Sequence, residues 1–158
     1  MIQQLVLGTI VNATTIGIVA GFVAVAAMGL TAFGDWIIKG QLAIRFFVAI
    51  VAVTLWLLLA LTAAMWTWAL VFWALGLFNT FELALYFSVV AFTTLGFGDV
   101  TLDQGWRLLS GFIAANGLIL FGLSTAFLIE VIRRVGGAQS NISKNAASLP
   151  SIDSERTE

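Results

Sequence analysis

Apolar residues fall along this chain in three long blocks with short polar breaks between them. The first, Leu5 to Phe33, contains no charge and is long enough to cross a bilayer with tilt. Gly34 to Arg45 is a polar connection carrying Asp35, Lys39 and Arg45. Leu42 to about Phe72 forms the second block and Trp106 to Val135 the third. Between these two lies a shorter apolar run, Phe81 to Phe92. Twelve helical residues reach about 18 Å, against roughly 30 Å of hydrocarbon, so this run enters a membrane without crossing it.

The stretch that follows, Thr93-Thr94-Leu95-Gly96-Phe97-Gly98-Asp99, is too polar and too glycine-rich to continue either neighbour. Non-helical backbone at membrane depth survives only where protein buries it or where it lines a watery cavity. A half-length helix leading into such a loop predicts a re-entrant pore loop. Gly96 and Gly98, two apart, let the backbone alternate right- and left-handed conformations, because glycine carries no Cβ to clash at positive φ. Successive carbonyls then point the same way. With the Thr94 hydroxyl at its base, a file of such oxygens can replace the water shell of a bare cation.

Local signals refine the elements. Gly17 and Gly21 make a G-x-x-x-G, and Ala13, Ala20, Ala24 and Ala27 keep the first helix slim, which predicts close packing on a neighbour. Ala24-Val25-Ala26 resembles a signal cleavage site. The preceding segment lacks a basic start and its apolar run is too long, so it is expected to be retained. The second helix is expected to project from the membrane or bend before Gly76. Trp66, Trp68 and Trp73 at its far end predict an interfacial belt, with Trp36 marking the opposite interface. Asn79 followed by Glu82 has the spacing of a capping box for the short helix. Glu130, one turn before Arg134, predicts a surface pair. Residues 136–158 hold Gly136-Gly137, Pro150 and mixed charges without periodicity, and read as a disordered tail.

Composition agrees with a membrane protein: 61% of the residues are hydrophobic and 9% charged. A net charge of −1 offers no basic surface for nucleic acid. Cysteine and histidine are absent, which removes disulfides, thiolate sites and the commonest general base. In a three-span topology Lys39, Arg45, Arg133, Arg134, Lys144 and Arg156 share one side, and only Arg107 lies on the other. The positive-inside rule puts the larger set in the cytoplasm. The expectation is a multi-pass protein of the cell membrane, N-terminus outside and C-terminal tail inside.

Thr94-Leu95-Gly96-Phe97-Gly98-Asp99 resembles the T-V-G-Y-G-D signature of potassium channels, whose filter is built from four such loops. Leu95 replaces the common Val and Phe97 the common Tyr. Gly117 to Ala126 follows the inner-helix pattern G-x-x-x-F-G-L-x-T-A of bacterial two-helix potassium channels, and the resemblance spans roughly residues 80–134. It implies an all-α homotetramer, each subunit giving three transmembrane helices, a re-entrant pore helix and a filter loop. Residues 1–41 would be the N-terminal helix and its connection, 42–135 the pore domain with its filter at 94–99, and 136–158 the tail.

The resemblance also implies roles. The carbonyls of Thr94, Leu95, Gly96 and Phe97, with Gly98 completing the loop, would bind K+. Leu95 and Phe97 side chains would wedge against the pore helix. Thr93, Asp99 and Tyr86 would support the filter, the Tyr86 hydroxyl reaching Asp99. Val90 stands where some relatives carry an acid. Gly117 would be the inner-helix hinge, with Phe121 and Thr125 near the cavity; the alternative is that Gly111, Gly117 and Gly122 only permit close helix packing. The expected partners are other copies of this chain and membrane lipids. No cofactor beyond the permeant ion and no small-molecule ligand is expected.

Three other functions compete, and one of them, a small accessory membrane subunit, explains the helices but not the filter-like loop. Gly96-Phe97-Gly98-Asp99 also matches the G-x-G-D of intramembrane aspartyl proteases. Their chemistry needs two carboxylates sharing a proton, and no span contains a second buried Asp, Asp35 falling at a membrane edge. The expectation is therefore not an enzyme. A non-selective cation channel is the nearer rival. No helix carries the repeated arginines of a voltage sensor.

Overall fold

A helix apolar on all sides must sit in lipid or protein, and three of the four helices here have that character. The computed structural model describes residues 2–32 and 42–147, with side chains described at 2–30, 44, 45 and 47–134. Asp35, Trp36, Lys39 and everything after residue 147 lie outside the described residues, and so do the expectations placed on them. The helices are α1 (Ile2–Ala32), α2 (Leu42–Ala74), α3 (Phe81–Phe92) and α4 (Leu108–Ala147), and no strand occurs among the described residues. Ile2–Leu30, Phe47–Ala74 and Leu108–Arg134 are long and apolar enough to cross a membrane, whereas α3 is not. The protein is all-α, with three helices fit to span.

On α2 a buried stripe recurs every three or four residues through Val53, Leu57, Ala60, Leu61, Ala64, Trp68 and Phe72. Leu55, Leu58, Leu59 and Leu70 are exposed. Trp66 and Trp73 are half exposed, as an interfacial belt requires, but Trp68 is fully buried. Trp68 shares a register with Ala64 and Phe72, so it belongs to the core rather than to the belt. α2 ends in a Schellman motif. Gly76 adopts φ +68°, Leu77 N–H donates to the Phe72 carbonyl at 3.1 Å, and Gly76 N–H donates to Trp73 at 2.9 Å.

Aromatic rings hold α3 against α2. Phe87 meets Phe72 edge-on at 5.4 Å and Phe78 at 5.2 Å. Phe81 meets Trp66 and Trp73 at 5.7 and 6.1 Å. With Phe78 and Phe81 seated this way, Thr80 is the last extended residue before the helix, at φ −129° and ψ 149°. Its hydroxyl accepts from Leu83 N–H at 3.2 Å. The cap is thus Thr80 and not Asn79, and Glu82 sits in the first turn, where it meets the positive end of the helix dipole.

α1 turns Gln4, Gly8, Val11, Thr15 and Val19 inward. A Cβ on Gly8 would fall 2.6 Å from the Phe112 ring, so Gly8 is the glycine that lets α1 approach α4. Gly17 and Gly21, expected to pack on a neighbour, face open space within this chain. They lie on the side of α1 opposite to Thr15 and Val19. α4 continues through Gly136-Gly137 to Ala147, so residues 136–147, expected to be irregular, are helical. A packed span has already met the cost of nucleation, and Ala, Gln and Lys downstream propagate a helix readily.

Candidate pore loop

The site begins where α3 stops. Thr93 caps the helix at φ −79° and ψ 0°, and its hydroxyl donates to the Val89 carbonyl at 2.7 Å. Thr94 then takes φ +60°, and its N–H donates to the Ala91 carbonyl at 3.0 Å. Leu95 and Gly96 N–H groups both donate to the Val90 carbonyl, at 3.0 and 3.4 Å. The loop therefore folds its first amides back onto the carbonyl end of the half-helix. Val90 contributes here through its backbone, while its side chain is buried.

Positive φ recurs at every second position: Thr94 (+60°), Gly96 (+57°) and Gly98 (+79°). The left-handed alternation expected at the two glycines thus begins one step earlier, at a threonine. Sequence gave no signal for this, because a β-branched residue is among the least suited to positive φ. The hydrogen bond from Thr94 N–H is among the contacts that hold it there.

Side chains alternate too. Thr94, Gly96 and Gly98 line a cavity of about 430 Å³ between the loop, Phe87, Val90 and Ala91 of α3, and Ser110 and Ala114 of α4. Leu95 and Phe97 are 59% and 68% exposed. The 430 Å³ space is lined by their neighbours in the loop, and they themselves stand largely exposed.

At the outer end Tyr86 Oη donates to Asp99 Oδ2 at 2.6 Å, tying the loop to α3 across thirteen positions. This bond holds the Asp99 carboxyl below the usual carboxylate range, against a smaller opposing effect of desolvation. The backbone N–H groups of Asp99 and Val100 add to the lowering. The partner of Asp99 is thus a phenol and not a second carboxylate.

α4 closes the site from behind. Gly117 is buried, and a Cβ there would lie 1.9 Å from the Phe92 carbonyl oxygen, at the last residue of α3. Gly117 is therefore the seat of the half-helix end. Phe121 stacks edge-on against Phe92 at 5.6 Å. Thr125 is exposed, and its hydroxyl donates back to the Phe121 carbonyl at 2.9 Å. Glu130 accepts from Arg134 Nε at 2.6 Å on an exposed face.

Sequence reasoning missed one polar cluster. Asn116, fully buried beside Gly117, donates from Nδ2 to Asn12 Oδ1 at 2.8 Å and to Thr15 Oγ1 at 2.7 Å. Gln4 Nε2 donates to the Gly105 carbonyl. The available signal was the placement of Gln4, Asn12 and Thr15 near one face of a charge-free helix, with Asn116 the single amide side chain of the third block.

A half-helix, an irregular loop with alternating handedness and a full spanning helix behind it define a pore-loop membrane protein. The chain belongs to the ion channel family, whose model matches residues 55–134, from within α2 through the loop to Arg134. No curated protein and no solved structure gives a significant match.

Proposed function

We propose that four copies of this chain form a potassium-selective pore that conducts passively through Thr94 to Gly98. The observation that carries this reading is the positive φ at Thr94, Gly96 and Gly98. A backbone alternating in handedness can present the carbonyls of Thr94, Leu95, Gly96 and Phe97 in one file, the arrangement that substitutes for an ion's hydration shell. One chain supplies one loop, and a ring of carbonyls needs four, so a cyclic homotetramer closes the site. The exposed Leu95 and Phe97 side chains are the surface that neighbouring copies would cover. The carbonyl end of each α3 carries about half a negative charge, and four together favour a cation beneath the filter. Asp99, bonded to Tyr86, anchors the outer rim. The tetramer sits in the cell membrane with its filter mouth and N-terminus outside.

The test is the reversal potential of purified protein in liposomes under opposed potassium and sodium gradients. A value near the potassium equilibrium potential is expected, and Gly96→Ala should abolish the selective current. A wild-type value near zero would replace this reading with a non-selective cation channel.

A further inference from the structure

The family match begins at Leu55, so α1 is outside it, yet α1 is built into the protein by polar contacts inside the apolar layer. Buried polar side chains are costly there and persist where they find partners. Asn116 has no exposed surface, and its amide nitrogen spends both hydrogens on α1, on Asn12 and on Thr15. Thr15 is equally buried, and its hydroxyl is held in place by the Val11 and Asn12 carbonyls. Further toward the filter mouth, Gly8 lies against the Phe112 ring, and Gln4 bonds the carbonyl of Gly105.

These attachments reach Gly105, Phe112 and Asn116, all before Gly117 in sequence. Beyond Gly117, Val131 with Phe127 and Leu128 joins an apolar cluster with Val53 and Leu57 of α2 and Val23 and Leu30 of α1. Apolar faces can slide or separate into lipid, whereas the Asn116 amide nitrogen, both hydrogens bonded, cannot leave its partners without being stranded in a medium that offers none.

We infer that α1 is a brace: through Asn12, Thr15 and Asn116 it fixes the filter-side half of α4, so that any opening movement is confined to α4 beyond Gly117. Asn116 is then a positioning residue, which touches neither ion nor filter. The inference rests on the channel reading. It is measured through open probability and cross-linking rather than through reversal potential, so a pore that proves non-selective leaves it standing.

Single-channel recording of Asn116→Ala, Asn12→Ala and the double variant provides the first test. Each single change should lower open probability about fivefold, as expected for one disrupted interhelical hydrogen-bond group, with unitary conductance unchanged. The double variant should be no worse than either single one, because the pair acts as a unit. Additive effects, or wild-type gating in all three, would overturn the brace. Should the alanine variants fail to assemble, Asn12→Cys with Asn116→Cys provides the second test, in a chain with no cysteine of its own. Joining the two thiols with a short thiol-reactive linker should leave opening intact, because the joined segments do not separate. A joined channel that no longer opens, or two thiols that cannot be joined, would count against the inference.

Discussion

Gly117 and Gly122 are both helix-interior glycines of α4 and both fit the inner-helix pattern, but their surroundings differ. A Cβ at Gly117 would overlap the Phe92 carbonyl oxygen, a backbone atom that cannot move aside alone, whereas a Cβ at Gly122 would meet nothing within 4 Å. Gly117→Ala should therefore lower stability by about 1–3 kcal/mol, the range of overpacking. Gly122→Ala should gain up to about 1 kcal/mol from helix propensity. Thermal unfolding in one detergent separates them, and equal melting temperatures would mean that the Phe92–Gly117 contact is not tight. Sequence leaves Gly117 open between hinge and packing seat, because the two look alike there, and the Phe92 contact shows the packing role. The Tyr86–Asp99 bond makes a second residue-scale prediction. Asp99 is held below its ordinary value in the folded loop, so its ionised form stabilises the loop above the ordinary carboxylate pKa of about 3.9. That contribution is lost as pH falls through the lower folded value. Channel current should persist through mildly acid pH and decay only under strong acid. Tyr86→Phe should shift the decay to higher pH, as seen in current against pH. An unchanged profile would remove the bond as the loop's anchor.

At the scale of elements, legibility followed the source of the signal. Apolar length is a property of sequence, so the three spans and the short α3 were readable to within a few residues. Ends set by local chemistry were partly readable. Gly76 stops α2 in a Schellman motif because only glycine takes φ +68° without penalty. The start of α3 falls one residue later than expected: Asn79 is by type the better cap, but Thr80 is the extended residue whose hydroxyl accepts from Leu83 N–H. Which face of α1 packs was not readable at all. The G-x-x-x-G pattern suggested Gly17 and Gly21, and the contact is made by Gly8. In a helix apolar on every side, small residues do not say which side meets protein. The loop stands between these cases: two of its three left-handed positions are glycines and were expected, and the third is held by the end of α3.

For the whole molecule the question is which way the chain threads the membrane. The bond between Gln4 and Gly105 puts the N-terminal end of α1 beside the segment that joins the filter loop to α4. The N-terminus and the filter mouth therefore share a side, and three spans put the far end of α4 on the other. Among the described basic residues Arg107 lies on the filter-mouth side and Arg45, Arg133 and Arg134 on the other, a distribution that under the positive-inside rule favours the proposed cytoplasmic placement of that other side. The potassium reading requires the same orientation, because its filter opens outward, and neither the hydrogen bond nor the charge count depends on that reading. Single cysteines at Gln3 and Ser140, in a chain with no native cysteine, allow a direct check. A membrane-impermeant thiol reagent applied to intact cells should label Gln3→Cys and spare Ser140→Cys until the membrane is opened. Labelling of both from outside would eliminate the three-span threading. Labelling of Ser140→Cys alone would keep the spans and reverse the orientation, leaving the filter mouth facing the cytoplasm and the potassium reading without its outward-facing pore.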